Sequence, residues 1–253
     1  GVQTISYTYT DVNGCTVVVT TAITVVALPV VDFSGFNNQY CTDAPPVTLV
    51  GSPAGGIFSG GGISGNTFTP ANAPLGSNNI TYTYTNGNGC TNSTVHSVVI
   101  NALPAIVFTG LGSDYCINDA SSTLTGTPAG GTFSGAGVSG NIFNPSSAGA
   151  GSHVVTYSYT DVNGCTATLT QTVVVHPLPT ASINPVGGPY CVSSTFVPLT
   201  ATPVGGVFNG PGVNGNIFNP SIAGVGVQTI SYTYTDVNGC TVVVTTAITV
   251  VAL

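Results

Sequence analysis

The sequence contains no lysine and no arginine among its 253 residues, and its seven acidic residues are all aspartates. A chain without cations cannot neutralise phosphates, which excludes nucleic-acid binding of the usual electrostatic kind, and it offers no basic patch to an anionic membrane. Schiff-base lysines, P-loop lysines and arginine clamps are excluded for the same reason. We therefore expect no cofactor and no nucleic-acid partner.

Long apolar runs are missing too, because no run approaches the roughly 18 residues of a membrane-spanning helix. We accordingly expect no membrane insertion. The first residues lack the cationic start and the small-residue cleavage site of a signal peptide, so we expect an internal piece of a longer polypeptide. Only 3% of residues are charged, yet 42% are hydrophobic. A composition rich in Val, Thr and aromatic residues suits β-sheets rather than disorder.

The sequence repeats with a period of 75 residues. The string Ser-Tyr-Thr-Tyr-Thr-Asp-Val-Asn-Gly-Cys at 6–15 recurs, with substitutions, at 81–90, 156–165 and 231–240. Each complete copy opens with proline and ends with leucine, and such a period is typical of a tandem array. We predict that 1–28 are the C-terminal strands of a preceding repeat. Three domains follow, called here the first, second and third repeats: 29–103, 104–178 and 179–253.

A second, longer period is superimposed on the first. Residues 1–28 are identical to residues 226–253, whereas the three complete repeats differ from one another at many positions. Either the array is built in blocks of three repeats, or the chain is one period of 225 residues plus an overlap. Both interpretations predict that the array continues at each end.

The pattern within a repeat is that of β-strands. Ile80, Tyr82 and Tyr84 alternate with threonines, as in a strand with one apolar and one hydroxyl face. An Asn-Gly or Asp-Val-Asn-Gly turn then leads into a second long strand. Shorter strands are predicted around 30–35, 46–52, 56–59 and 63–69. The expected fold is all-β: a tandem array of small antiparallel immunoglobulin-like β-sandwiches of about six strands, with one disulfide per domain.

The cysteines recur with the repeats. Six antiparallel strands place the first and last turns at the same end of a sandwich, so we predict a bridge from the Tyr-Cys pair to the Asn-Gly-Cys turn within each repeat. Each bridge would close a loop of about 50 residues, worth roughly 4 kcal/mol of chain entropy, and would indicate an extracellular or cell-surface location. The predicted pairs are Cys41–Cys90, Cys116–Cys165 and Cys191–Cys240, with Cys15 unpaired; the alternative pairs neighbours, as Cys15–Cys41, Cys90–Cys116 and Cys165–Cys191.

The joints between repeats lack the Gly/Ser stretch of a flexible linker. Strand residues lead directly to a proline at each joint, as in Ala27-Leu28-Pro29, and proline fixes one backbone dihedral. We expect a stiff rod in which each repeat adds roughly 35–40 Å if the long strands lie near the axis.

The string Gly60-x-Gly62-x-x-Gly65 matches the dinucleotide-binding fingerprint in letters alone. That motif needs a helix after the glycines and an acidic residue about 20 positions later, whereas a short strand ending at Pro70 follows here. We interpret these glycines as permitting positive φ in a tight connection.

Metal binding and catalysis find little support in the sequence. Asp11 and Asn13 resemble the opening of a calcium loop, but too few carboxylates follow, so a hairpin turn is the favoured interpretation, with weak calcium binding as the alternative. The three histidines fall at different positions of the repeat, so they predict neither a repeated metal site nor a catalytic triad. The recurring Tyr and Phe residues are assigned to the core rather than to a sugar-stacking surface. We expect no enzyme activity, no catalytic residue and no metal ligand.

The strings Tyr-Thr-Tyr-Thr-Asp-Val-Asn-Gly-Cys, Gly-Gly-Ile-Phe-Ser-Gly and Leu-Pro resemble the tandem immunoglobulin-like or PKD-like repeats of giant secreted and cell-surface proteins of Bacteroidota. The resemblance covers all 253 residues. It implies export by a type IX route, and it supplies no catalytic residues, since that family includes adhesins, gliding-associated proteins and stalks.

Three functions are consistent with these observations. The first is a structural segment of a stiff extracellular fibre, filament or stalk, whose partners are neighbouring repeats and further copies in a fibre. The second is the spacer region of a cell-surface adhesin, and the third is a carbohydrate-binding module. Because trypsin-like and glutamate-specific proteases find no cleavage site, we also expect protease resistance.

Overall fold

The computed structural model describes residues 1–253, and nearly all of its regular structure is β-strand. The chain opens with a hairpin of two nine-residue strands, β1 (Val2–Thr10) and β2 (Thr16–Thr24), paired in antiparallel register along their whole length. Thr, Val, Ile and Tyr dominate both strands, and these residues suit a pleated backbone. This segment is called the N-terminal hairpin below.

The first repeat contains nine strands and one 3-10 turn, Pro70–Asn72. Seven of the strands have only two or three residues, and two are long. They are β3 (Asp32–Ser34), β4 (Gln39–Cys41), β5 (Val47–Thr48), β6 (Val50–Ser52), β7 (Ile57–Ser59), β8 (Ile63–Ser64), β9 (Thr67–Phe68), β10 (Gly76–Thr85) and β11 (Thr91–Asn101).

The second and third repeats follow the same order, with a one-turn helix in place of the 3-10 turn. In the second repeat these are β12 (Val107–Thr109), β13 (Asp114–Cys116), β14 (Ser122–Thr123), β15 (Thr125–Thr127), β16 (Thr132–Ser134), β17 (Val138–Ser139), β18 (Ile142–Phe143), α1 (Pro145–Ala148), β19 (Gly151–Thr160) and β20 (Thr166–His176). In the third they are β21 (Ser182–Ile183), β22 (Tyr190–Cys191), β23 (Val197–Pro198), β24 (Ala201–Thr202), β25 (Val207–Asn209), β26 (Val213–Asn214), β27 (Ile217–Phe218), α2 (Pro220–Ala223), β28 (Gly226–Thr235) and β29 (Thr241–Val251).

Each repeat forms one four-stranded sheet and two smaller ones. In the first repeat the order is β4-β11-β10-β7, with a three-stranded sheet β5-β9-β8 and a two-stranded sheet β3-β6. All pairings are antiparallel except that of β4, which runs parallel to the end of β11. The other repeats have the same orders and the same parallel pair.

The core of each repeat lies between its large sheet and its small sheets. In the first repeat Ile80 and Ile100 of the long strands pack with Phe33 and Phe68 of the short ones, and all four are at most 4% exposed. The alternation predicted for 80–85 is thus realised, with Ile80 and Tyr82 inside. The other two repeats contain their own clusters, built from corresponding residues. The all-β, immunoglobulin-like sandwich predicted from the sequence is confirmed.

Backbone contacts divide the chain into two compact units. One comprises Gly1–Pro104 with Thr160–Thr166, and the other comprises Ala105–Tyr159 with Ala167–Leu253. The first unit contains the N-terminal hairpin and the first repeat, together with one hairpin turn from the second repeat. The second unit contains the rest of the second repeat and the third. No helix in the structure is long and apolar enough to cross a membrane.

The strand count is the main departure from the expected fold. Instead of about six strands a repeat has nine. In the first repeat the predicted segment 46–52 is divided at Leu49 between two sheets, 63–69 is divided by the Gly65-Asn66 turn, and β4 is additional. The strand that the sequence did not predict is β4. Its three residues Gln-Tyr-Cys are too short to show any alternation, and they are extended because they pair with β11.

Candidate linkage site: the disulfide bridges and their turns

Strand β4 decides where the first cysteine of a repeat lies. Its parallel register pairs Cys41 with Asn101, the last residue of β11. The hydrogen bond from the Thr42 amide to the Asn101 carbonyl continues this pairing beyond the strand. In the second repeat β13 likewise pairs Cys116 with His176, at the end of β20. The Tyr-Cys pair is therefore fixed beside the end of the last long strand.

Two disulfide bridges are present, and both join a Tyr-Cys pair to the hairpin turn of the following repeat. Cys41 is bonded to Cys165 and Cys116 to Cys240, each with a Cα–Cα distance of 5.5 Å. Both bridges span 124 residues of sequence. Each bridge also lies inside one of the two compact units. The chain therefore uses one kind of bridge twice, one repeat apart.

The predicted pairing within each repeat is therefore wrong. Cys90 lies at the turn that begins β11, while Cys41 lies beside the end of β11. Eleven residues of extended strand separate the two positions, a distance of about 35 Å at the usual strand rise. The prediction failed because it assumed an entirely antiparallel sheet. Consequently Cys41–Cys90, Cys116–Cys165 and Cys191–Cys240 do not form.

The alternative pairing of neighbours does not form either, since Cys41, Cys116 and Cys165 all have other partners. Three cysteines are free: Cys15, Cys90 and Cys191. Cys15 and Cys191 are exposed, and Cys90 is half-buried. The unpaired state expected for Cys15 agrees with this, whereas Cys90 and Cys191 were expected in bridges.

The hairpin turn holds its cysteine through an aspartate. In the second repeat the Asp161 Oδ1 atom accepts hydrogen bonds from the backbone amides of Asn163 and Cys165, each at 2.9 Å. The bond from the Cys165 amide is the main reason that the pKa of Asp161 lies below its ordinary value, and bonds from Asn163 and Gly164 lower it further. The side chain of Cys165 is fully buried. The aspartate thus orients a buried bridge cysteine.

An asparagine performs the same task in the first repeat. The Asn86 Oδ1 atom accepts from the amides of Asn88 and Cys90, each at 3.0 Å. Since a neutral amide replaces the carboxylate with the geometry retained, the turn needs an oxygen acceptor rather than a charge. This observation favours turn chemistry over metal binding for the Asp-x-Asn-Gly string.

No group of three or more His, Cys, Asp or Glu side chains in the structure could hold a metal ion. The turn of the first repeat supplies no carboxylate and each of the other turns supplies one. In the turn of Asp161 the Oδ1 atom is already engaged by two backbone amides. Weak calcium binding remains a prediction on the sequence alone.

The recurring tyrosine of the first long strand is a core residue with a defined polar function. Tyr82 is 1% exposed. Its hydroxyl accepts a hydrogen bond from the Gly56 amide at 2.8 Å and donates one to the Pro53 carbonyl. Tyr157 and Tyr232 make the equivalent pairs of bonds in the other repeats. The predicted core assignment is confirmed for these tyrosines.

A shallow groove of about 590 Å³ lies beside Tyr82 in the first repeat, and its polar side chains are Thr48 and Asn66. The corresponding groove in the third repeat has only about 110 Å³, and there Ala201 stands where the first repeat has Gly51. The tyrosine at its base is buried. Phe58, the other aromatic residue of the groove, is half-buried and packs against Phe33 and Tyr82, so neither ring presents a fully free face to a sugar. The groove therefore does not favour the carbohydrate-binding hypothesis.

The glycines of the fingerprint-like string lie in tight connections between short strands. Gly60, Gly62 and Gly65 have φ values of 142°, 78° and 60°, which side chains rarely tolerate. Strand β9 follows them rather than a helix long enough to bind a phosphate. The interpretation as turn glycines is confirmed.

Each histidine contacts a single acceptor. His96 pairs with Asp32 at 3.1 Å and His176 with Asp114 at 3.2 Å, while His153 bonds to the Gly149 carbonyl. The two aspartates occupy different positions of the repeat, so these pairs are not versions of one site. Hydrogen bonds from Ser113 and then His176 lower the pKa of the exposed Asp114 carboxyl.

No protein-family model and no curated protein matches the sequence. Solved structures with a similar arrangement of strands include a Ca²⁺-stabilized, ice-binding adhesin of an Antarctic bacterium, at 15% identity and a TM-score of 0.34, with 100% of this chain and 82% of that one covered. A 1.5-MDa bacterial ice-binding adhesin has 16% identity and a TM-score of 0.31, with coverage of 90% and 99%. Drosophila N-cadherin repeats EC1-4 have 11% identity and a TM-score of 0.27, with coverage of 98% and 83%. Structural similarity at these sequence identities and TM-scores does not indicate the function of this chain.

Proposed function

We propose that this chain is a non-catalytic structural segment of a stiff extracellular fibre, filament or surface stalk. Its building blocks are the three repeats 29–103, 104–178 and 179–253, taken as domains, with 1–28 as the closing strands of a preceding one. Three separate clusters of buried residues, one in each repeat, support this division.

One observation carries the proposal: both bridges tie a repeat to its successor. Cys41 and Cys116 each bond to the cysteine 124 residues further along, in the hairpin turn of the next repeat. A bridge inside a domain stabilises that domain alone, whereas a bridge between successive domains also restrains their joint. Repetition of such a bridge along a chain yields a covalently braced array, as a fibre requires.

The composition fits exposure to the environment. Disulfide bridges form and persist in oxidising, extracellular settings, and each closes a long loop. Trypsin-like proteases find no Lys or Arg to cleave in this chain. Isopeptide crosslinks also need lysine, so disulfides are the covalent braces available to it.

Electron microscopy of the native, unreduced material tests this proposal. We expect continuous fibres with an axial repeat of one or three domains. Reduction before imaging should make these fibres visibly more flexible, because the bridges brace the joints. Short isolated rods that end in a distinct knob would overturn the fibre and would favour the adhesin spacer instead.

A further inference from the structure

The hairpin turn of the first repeat differs from those of the other repeats at two adjacent positions. Asp161 and Asp236 are each followed by a valine, whereas the first repeat has Asn86 followed by Gly87. In an Asn-Gly pair the backbone nitrogen of the glycine can approach the asparagine side chain closely, because glycine has no side chain in the way. The turn therefore places a pair with a known self-reaction in the hydrogen-bonded geometry described above.

The side-chain carbonyl of this asparagine is already polarised. The Asn86 Oδ1 atom accepts hydrogen bonds from the amides of Asn88 and Cys90, each at 3.0 Å. When a nucleophile adds to the Cγ atom, this oxygen becomes negative, and preorganised amide donors stabilise such an oxyanion. The corresponding amide of the second repeat, that of Cys165, is the main reason that the pKa of Asp161 is lowered. The turn thus stabilises negative charge at this oxygen.

The attacking nitrogen is also accessible. Gly87 is exposed, and its amide has no hydrogen-bond partner in the chain. The Asn163-Gly164 pair of the second repeat differs, because the Gly164 amide donates to the Asp161 carbonyl at 3.1 Å. The side-chain nitrogen of Asn163, which would have to leave, is held by the Asp161 Oδ2 atom at 3.3 Å. Two pairs with the same sequence therefore differ in reactivity.

We propose that Asn86 is a self-modification site, at which the folded chain converts asparagine into aspartate without an enzyme. The Gly87 amide nitrogen loses its proton to hydroxide and bonds to the Asn86 Cγ atom, and the side-chain nitrogen leaves as ammonia. The product of this step is a cyclic imide, which one water molecule opens. The net reaction consumes one side-chain amide and one water, and it yields one carboxylate and one ammonium ion.

The turn also selects the product. Water that adds to the Cγ atom of the imide restores the native backbone and leaves aspartate at position 86. Water that adds to the backbone carbonyl carbon instead leaves isoaspartate, in which the backbone runs through the side chain. The amides of Asn88 and Cys90 are directed at the oxygen on Cγ, so we expect aspartate to dominate in the folded chain.

The conversion makes the turn of the first repeat chemically equivalent to the other turns. It adds one negative charge to a chain whose formal net charge is −7. Hydrogen bonds to a charged acceptor are stronger than those to a neutral one, so the new carboxylate binds the two amides more firmly than the asparagine does. The inference concerns the folded first repeat alone and does not depend on fibre formation.

An aspartate-directed protease distinguishes the two products. Cleavage before the existing aspartates releases the fragment 43–113, because no aspartate lies between Asp43 and Asp114. Aspartate at position 86 adds a cut that divides this fragment into 43–85 and 86–113. Isoaspartate gives the same change in mass without the cut, because its extra backbone methylene displaces the scissile bond.

The experiment incubates the folded, unreduced chain in mildly alkaline buffer. Samples taken over time are reduced, unfolded, digested and analysed by mass spectrometry. We expect 43–113 to be replaced progressively by 43–85 and 86–113, and a cut before residue 163 to appear about tenfold more slowly or not at all. The proposal is overturned if no cut before residue 86 appears, if the cuts before 86 and 163 appear at equal rates, or if the mass changes without a cut.

Two variants assign the reaction to the turn. Gly87→Val introduces the residue that occupies this position in the other repeats, where Val162 and Val237 are fully exposed, so the turn is retained. The branched side chain crowds the attacking nitrogen, and we expect conversion to slow about tenfold or more. An unchanged rate contradicts the mechanism.

The reverse change transfers the site to the second repeat. Asp161→Asn together with Val162→Gly removes the cut before residue 161 from freshly prepared protein, and the cut should return during incubation. If it does not return while the cut before residue 86 appears in the same chain, the turn is not the cause of the reaction.

Discussion

At the scale of single residues, Tyr82 combines burial with two backbone hydrogen bonds. Tyr82→Phe removes the acceptor of the Gly56 amide and the donor to the Pro53 carbonyl without changing the shape of the ring. We expect a loss of about 1–3 kcal/mol in the unfolding free energy of the first repeat, because buried polar groups lose their partners. Urea denaturation measures this loss.

The matched control for that change is Tyr7→Phe in the N-terminal hairpin. Tyr7 occupies the same position of the repeat but is 67% exposed. We expect its replacement to alter stability by no more than about 0.5 kcal/mol. Equal effects of the two replacements would contradict the role assigned to the Tyr82 hydroxyl.

Asp161 gives the turn of the second repeat a dependence on pH. Folding lowers the pKa of this carboxyl, chiefly through the hydrogen bond from the Cys165 amide. Its stabilising contribution is therefore complete above the unfolded pKa of about 3.9, and it is lost as the pH falls through the lower, folded pKa. We expect an NMR titration of the Asp161 carboxyl to show a midpoint below that of a free aspartate.

A neutral substitution provides the control. Asp161→Asn should preserve the turn, as Asn86 does in the first repeat, and should remove the contribution of this site to acid destabilisation. If the variant and the parent lose stability identically between pH 5 and pH 2, the carboxylate does not have this role.

At the scale of elements, the largest expected effect on stability comes from the bridge between β4 and the hairpin turn of the next repeat. Cys41→Ser opens a loop of 124 residues, for which chain entropy alone gives about 4–5 kcal/mol of lost stability. Cys90→Ser removes a free thiol and should change stability by no more than about 0.5 kcal/mol. Comparable losses from both variants in thermal denaturation would indicate that Cys41 and Cys90 are partners after all.

Strand β4 also shows how far the structure could be predicted from the sequence. The alternation at Ile80, Tyr82 and Tyr84 predicted a long strand with one buried face, because local pattern and burial agree there. Strand β4 has no such pattern, and its parallel pairing with Asn101 depends on residues 60 positions away. The cysteine partners followed from that pairing, so the recurrence of cysteines was predictable while their connectivity was not.

At the scale of the whole molecule, the absence of Lys and Arg predicts a digestion pattern. Trypsin should leave the chain intact even after reduction and unfolding, whereas an aspartate-directed protease should cut the unfolded chain at its seven aspartates. Gel electrophoresis of both digests measures this. Rapid fragmentation of the unreduced chain by trypsin into discrete bands would contradict the proposed resistance.

The two bridges also limit how far the chain can be stretched. Along the backbone, Cys41 and Cys240 are 199 residues apart. The shorter covalent route crosses from Cys41 to Cys165, runs back to Cys116 and crosses to Cys240, and it contains only 49 residues of backbone. An extended residue spans at most about 3.6 Å. The covalent path between Cys41 and Cys240 therefore becomes taut at roughly a quarter of the length that this segment can reach when it is reduced. A bridged chain of this kind therefore has a much shorter maximum extension than the reduced chain. Reducing agents in its surroundings would increase that extension by opening the bridges.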